Sequence, residues 1–112
     1  SNHGGRMFNS GISTSRFLIQ NQDLIEKYNG NIVIDGGVRK GSDIIKLKCL
    51  GADFVGLGRP IMHGLIVSGY KGVHKVLEIL KNDLISSMKN GGFKSTIDFK
   101  ISRLNFNKNY FE

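Results

Sequence analysis

Two short apolar segments, each followed by glycines and an arginine, most constrain the fold of this chain. The first covers residues 31–34 and leads into residues 35–39, Asp-Gly-Gly-Val-Arg; the second covers residues 54–57 and leads into residues 58–60, Gly-Arg-Pro. Continuous apolar runs are typical of strands that are buried on both faces of a parallel sheet. A segment with helical periodicity separates them. The sequence therefore predicts an α/β fold with a parallel sheet, either open or closed into a barrel.

Helical spacing surrounds both predicted strands. Ser42 is the predicted N-cap of the helix between the strands, and Pro60 is suited to the first turn of the helix after them. The tail, residues 100–112, is rich in Asn and Lys and could either pack against the domain or fray. We predict a loop over residues 4–16 and helices over residues 17–28, 43–50, 60–66 and 72–89.

The composition excludes several classes of protein. A chain of 112 residues with 39% hydrophobic and 22% charged residues is suited to a globular core and not to disorder. The single cysteine, Cys49, excludes an internal disulfide and favours a reducing compartment, and we expect it to be a buried helix residue. No apolar run approaches the roughly 20 residues that span a bilayer. We therefore predict a cytoplasmic protein without a membrane partner.

The net charge of +7 favours a solvated basic surface over a nucleic-acid groove, because no zinc-finger spacing or aromatic-flanked basic stripe accompanies it. We predict no nucleic-acid partner.

His63 and His74 have no metal-ligand partner at suitable spacing, so we predict surface or packing roles for them and no metal site. Asp53 lies at the start of a predicted strand. In a barrel, residues at the N-terminal ends of the strands usually contribute to stability, so we predict a structural role for Asp53.

The residues that follow the two strands are suited to binding a phosphate. Glycines let backbone N–H groups approach an anion, and helix N-termini add a favourable dipole. Arg39 and Arg59 can each bind a phosphate through two N–H groups. The alternative is that both arginines form surface pairs beside ordinary turns.

The first six residues, Ser-Asn-His-Gly-Gly-Arg, form a second segment with candidate functional side chains. His3 can take a proton near neutral pH, and Arg6 offers a bidentate fork to a carboxylate or phosphate. Since only glycines separate them, both side chains can point at one small anion.

These three segments, in this order and spacing, resemble the C-terminal part of the FMN-dependent α-hydroxy-acid dehydrogenases and oxidases. That family includes glycolate oxidase, lactate oxidase, mandelate dehydrogenase and flavocytochrome b2. The resemblance implies the end of strand 6 and strands 7 and 8, with their helices, of a (β/α)8 TIM barrel. It divides the chain into a barrel portion, residues 1–99, and the tail, residues 100–112.

The resemblance also implies an activity, the FMN-dependent oxidation of a small L-2-hydroxy acid such as lactate or glycolate to the 2-oxo acid. His3 matches the catalytic base, and both His3 and Arg6 match substrate-binding residues, Arg6 gripping the carboxylate. The implied FMN contacts, to the flavin, ribityl chain and phosphate, are Ser1, Asp35, Gly36, Gly37, Val38, Arg39, Gly58 and Arg59. Residues 7–9, Met-Phe-Asn, depart from the Gln, Leu and Asp that are usual in the family.

A complete barrel of this kind takes about 250 residues. We therefore expect the chain to be part of a longer enzyme, inactive alone and, by resemblance, a homo-tetramer when complete. Two alternatives stay open: another FMN- or phosphate-binding barrel enzyme, and a non-catalytic remnant of the family.

Overall fold

Two parallel strands and the helices packed beside them form the fold, which the computed structural model describes over residues 11–106. The strands are β1 (Val33–Ile34) and β2 (Phe54–Val55). The α-helices are α1 (Thr14–Gln20), α2 (Gln22–Lys27), α3 (Gly41–Cys49) and α4 (Arg59–Asn90), and two 3₁₀-helices, Thr96–Asp98 and Ile101–Arg103, follow.

The strand pairing confirms the predicted parallel sheet. Val33 pairs with Phe54 and Ile34 with Val55. At the strand starts, the Asp53 carboxylate accepts a hydrogen bond from the Ile32 N–H at 2.8 Å, which fixes the register of the pair. Both strands are shorter than predicted, because the regular ladder is confined to two residues in each.

Within the described residues, 11–106, helices cover only one face of the strand pair. Ile34 belongs to a buried cluster with residues from α1 and α3, the members being Leu18, Ile34, Val38, Leu47, Leu50 and Ala52. On the opposite face Val33 is 63% exposed and Phe54 is 58% exposed. The prediction that the strands are buried on both faces is therefore wrong for residues 11–106, which supply a layer of helices on one side of the sheet only.

Helix α3 begins two residues earlier than predicted. Its N-cap is Lys40 and its first residue is Gly41, so the prediction of Ser42 as N-cap is wrong. The reason is Asp43, whose carboxylate accepts from the backbone N–H groups of Arg39 and Lys40, each at 3.0 Å. At the other end of α3, Cys49 is buried as predicted, and this burial raises the pKa of its thiol.

The two helices predicted over residues 60–66 and 72–89 are the two halves of α4, which is kinked between them. Ser68 and Gly69 have non-helical backbone angles, and Gly69 has a φ of 55°. Gly64 and Gly72 meet across this kink, where a Cβ on either would overlap the backbone of the other. The absence of side chains at both positions thus lets the two halves of α4 cross closely.

The first helical region also differs from its prediction. The segment predicted as one helix over residues 17–28 is divided into α1 and α2 at Asn21. Helix α1 begins at Thr14 because the hydroxyl of Ser13 caps it, accepting from the Arg16 N–H at 3.2 Å. The predicted loop therefore ends earlier than residue 16, and its residues 4–10 lie outside the described part of the chain.

The beginning of the C-terminal tail packs against the domain. The Arg103 guanidinium donates to the Gly91 carbonyl at 2.7 Å and lies 4.6 Å from the centre of the Phe93 ring. Leu104 contacts the buried cluster. Of the two alternatives for the tail, packing therefore holds for residues 101–104. Within residues 11–106 no helix has the length and apolar character required to cross a bilayer.

Candidate functional site

The carboxyl ends of β1 and β2 lie side by side because the strands are parallel neighbours. Two loops leave this edge of the sheet: loop A, residues 35–40, between β1 and α3, and loop B, residues 56–58, between β2 and α4. The loops approach closely, since a Cβ placed on Gly56 would lie 3.1 Å from the Cβ of Asp35. The structure therefore brings the two predicted phosphate-binding segments to one edge.

Loop A combines an exposed backbone with a buried anchor. Gly36 and Gly37 have φ angles of 97° and 76°, which residues with side chains rarely adopt. A Cβ on Gly37 would meet no atom of residues 11–106 within 4 Å, so there is room beside its backbone in this part of the chain. The side chain of Val38 is 4% exposed and belongs to the core, whereas Arg39 is exposed. Val38 thus anchors the loop, and a direct cofactor contact for it stays a prediction.

The backbone N–H groups at the end of loop A are already bound within the protein. Asp43 accepts from Arg39 and Lys40, and the Asp83 carboxylate accepts from the Gly41 N–H at 2.5 Å. Two negative charges therefore lie at the start of α3, where the helix dipole favours them. The amides at this helix N-terminus therefore already have acceptors within the protein.

The start of α4 has the opposite character. Its N-cap, Gly58, offers no side-chain acceptor to the first amides of the helix, and Pro60 lies in the first turn. A Cβ on Gly58 would meet no atom of residues 11–106 within 4 Å. Arg59 is exposed beside these amides. Pro60 has no N–H, and the Ile61 and Met62 N–H groups donate to the Gly58 carbonyl, so the amides available at this point are those of Gly58 and Arg59. These two amides, the helix dipole and the Arg59 guanidinium are together suited to binding an anion.

Three of the predicted site residues lie outside the described part of the chain. These are Ser1, His3 and Arg6, so their predicted contacts with flavin and substrate stay predictions. His63 and His74 are exposed on α4. Among residues 11–106, no group of three His, Cys, Asp or Glu side chains is arranged to hold a metal ion.

Sequence reasoning missed Gly41 and Asp83 as parts of this region. A Cβ on Gly41 would overlap the backbone of Leu84, so α3 and α4 can approach only because residue 41 is glycine. Asp83 lies 42 positions further along the chain than the amide that it binds. The local sequence does not reveal this contact, because Asp83 occupies an ordinary polar position in the amphipathic helix predicted over residues 72–89.

Comparison with known proteins identifies the family. The profile of the family described as FMN-dependent dehydrogenase matches residues 1–105. The chain therefore belongs to this family, and the match confirms both the resemblance seen in the motifs and the predicted cofactor, FMN.

Individual relatives agree with this assignment. The chain is 40% identical over 106 residues to an L-lactate oxidase of Lentilactobacillus hilgardii, which covers 93% of the chain and 28% of that protein. It is 38% identical over 104 residues to the L-lactate dehydrogenase (cytochrome) of Saccharomyces cerevisiae, covering 89% of the chain and 18% of that protein. The chain thus spans less than a third of the length of either relative.

Solved structures support the fold. The monotopic membrane protein (S)-mandelate dehydrogenase superposes with a TM-score of 0.86 at 36% identity, covering 96% of this chain and 28% of that one. The structural neighbours are TIM-barrel flavoenzymes. The α/β class with parallel strands is therefore confirmed, and the chain corresponds to part of such an enzyme.

Proposed function

We propose that this chain supplies the end of strand 6 and strands 7 and 8 of a TIM-barrel enzyme that uses FMN to oxidise a small L-2-hydroxy acid. In this assignment β1 is strand 7 and β2 is strand 8. The observation that carries the proposal is the parallel pairing of β1 with β2, because it brings loops A and B to one edge of the sheet. In TIM barrels this carboxyl edge holds the active site, and the loops after strands 7 and 8 often bind phosphate.

The residues of both loops fit the phosphate of FMN. A phosphate group needs cationic donors and backbone amides with room beside them, and loop B offers Gly58 and Arg59 at an uncapped helix start. Arg39 of loop A supplies a second guanidinium. Gly36 and Gly37, whose backbone is exposed, and Asp35 are suited to the ribityl chain. FMN, when bound, accepts the two electrons that leave the substrate.

The substrate side of the proposal rests on His3 and Arg6. Oxidation of a 2-hydroxy acid to a 2-oxo acid removes two electrons and two protons. The hydroxyl proton is weakly acidic, so a base within hydrogen-bonding distance lowers the barrier, and the His3 imidazole would accept this proton. The Arg6 guanidinium would bind the carboxylate and thereby orient the α-carbon. Lactate and glycolate are the proposed substrates.

The proposal is tested on the complete protein that contains this chain. Purified protein should carry FMN, and anaerobic addition of L-lactate or glycolate should bleach the flavin absorbance. His3→Ala should slow bleaching at least about 100-fold, the usual contribution of a general base. His74→Ala, which removes an exposed histidine on α4, is the control and should leave the rate unchanged.

Other outcomes separate the alternatives. Protein that binds FMN but is reduced by no 2-hydroxy acid would indicate another flavin barrel enzyme. Protein that binds no flavin would indicate a non-catalytic remnant, and an unchanged rate in His3→Ala would contradict the assigned base. The cytoplasmic location, the homo-tetramer and the lack of nucleic-acid and membrane partners stay predictions.

A further inference from the structure

A carboxylate on the second half of α4 reaches the first residue of α3, which directly follows the loop that carries Arg39. Asp83 is half-buried, and its Oδ2 accepts from the backbone N–H of Gly41 at 2.5 Å. This contact therefore links the loop to a helix that is distant in sequence.

The packing around the contact leaves it little freedom. Gly41 is buried, and the backbone of α4 at Leu84 occupies the space that its Cβ would need. The backbones of α3 and α4 therefore touch here without an intervening side chain. The negative charge is also stabilised by the N-terminal dipole of α3.

The contact completes a set of restraints on loop A. Val38 is held in the core, and Asp43 binds the amides of Arg39 and Lys40. Asp83 then fixes the next amide, that of Gly41. Three consecutive N–H groups are thus held by two carboxylates, and the backbone that carries Arg39 is set before any ligand binds.

We propose that Asp83 is a positioning residue for the FMN phosphate, acting through the loop A backbone and Arg39. Asp83 touches neither substrate nor flavin in this role. The inference rests on the proposed function, because it requires that Arg39 binds the phosphate. Its specific consequence is that Asp83 affects the affinity for FMN but not the affinity for riboflavin, which lacks the phosphate.

The test measures the dissociation constants of FMN and riboflavin by flavin fluorescence with the complete apoprotein. Asp83→Ala should weaken FMN binding about tenfold, as expected for one lost charge-assisted hydrogen bond, and should leave riboflavin binding unchanged. Asp83→Asn keeps an acceptor oxygen without the charge and should weaken FMN binding by only about threefold. If Asp83→Ala does not fold, Asp83→Asn alone still predicts a loss that is confined to FMN.

Glu78→Ala is the matched control, since it removes an exposed carboxylate from the same helix, where Glu78 contacts Lys75 at 3.4 Å. It should change neither constant. The inference is overturned if the Asp83 variants weaken FMN and riboflavin equally, which would indicate a purely structural role, or if they weaken neither. Wild-type apoprotein that fails to bind FMN would instead overturn the proposed function.

Discussion

Loops A and B follow neighbouring parallel strands, yet the helices that they lead into begin in opposite ways. At the start of α3, the carboxylates of Asp43 and Asp83 bind three consecutive amides. At the start of α4, no side chain of the described residues caps the first turn, and Arg59 is exposed beside it. We therefore expect the two loops to contribute differently to phosphate binding. Loop A holds the backbone of Arg39 in place, and loop B offers free amides and Arg59 to the phosphate.

The largest expected effect comes from glycines at the two helix starts. Gly41→Ala should lower the free energy of unfolding by about 3 kcal/mol, because the new methyl group meets the backbone of Leu84 rather than a movable side chain. Gly58→Ala is the counterpart in loop B, where the methyl group meets open space, and should change stability by less than about 1 kcal/mol. Urea unfolding of the complete apoprotein measures both. Equal losses would contradict the difference in packing between the loops.

The next effect concerns the carboxylate that holds loop A. Asp43→Ala frees the amides of Arg39 and Lys40 and should cost about 2 kcal/mol in unfolding free energy, with weaker FMN binding. Asp98→Ala provides a matched control, since Asp98 accepts from two backbone amides in the same way, from Lys94 at 2.7 Å and Ser95 at 3.0 Å. Asp98 lies in the 3₁₀-helix Thr96–Asp98, beyond α4, so its loss should leave FMN affinity unchanged. Weaker FMN binding in both variants would show that loop A has no special part in it.

Amide hydrogen exchange compares the two helix starts directly. Addition of FMN should slow exchange of the Gly58 and Arg59 amides by about tenfold, since each gains an acceptor. The amides of Arg39, Lys40 and Gly41 already have carboxylate acceptors and should change by less than about twofold. Exchange followed by mass spectrometry or NMR on the complete protein gives both values. A larger change in loop A than in loop B would reverse the proposed roles.

The smallest effect is a pH dependence at Asp98. Hydrogen bonds from the amides of Ser95 and Lys94 lower the pKa of this carboxyl below its ordinary value. Because the folded pKa lies below the unfolded one, the contribution to stability is present above the unfolded pKa, about 4, and is lost as the pH falls through the folded value. The amide chemical shift of Ser95 should follow this titration, and Asp98→Asn should abolish it. A Ser95 shift that titrates unchanged in Asp98→Asn would assign the effect to another group.

The sequence was sufficient to predict what depends on local chemistry. The apolar runs before residues 35 and 58 indicated parallel strands, and Pro60 marked the first turn of α4, because these signals lie within the elements themselves. The predicted start of α3, by contrast, is two residues too late. The pair Ser42-Asp43 is compatible with two helix starts. Ser42 could cap a helix that begins at Asp43, or Asp43 could be the third helical residue and accept from the amides of Arg39 and Lys40, as the structure shows.

Features that depend on distant segments were not predictable. Asp83 has its partner 42 residues away, and the contact of Gly41 with Leu84 depends on how two helices cross. Likewise, the exposure of Val33 and Phe54 depends on what covers the sheet, which an apolar run does not reveal. The family match to residues 1–105 carries the interpretation of His3 and Arg6, which lie outside the described residues.

The most direct test of the account is the preference of the complete apoprotein for FMN over riboflavin, because the two ligands differ only in the phosphate. The wild type should prefer FMN, and the double variant Arg39→Ala/Arg59→Ala should reduce that preference at least about 100-fold, since each guanidinium–phosphate pair is worth roughly 1.5–3 kcal/mol. Arg16→Ala/Lys71→Ala removes two exposed cations elsewhere and should keep the wild-type ratio. An unchanged ratio in the Arg39/Arg59 variant would contradict the central claim that loops A and B bind the phosphate.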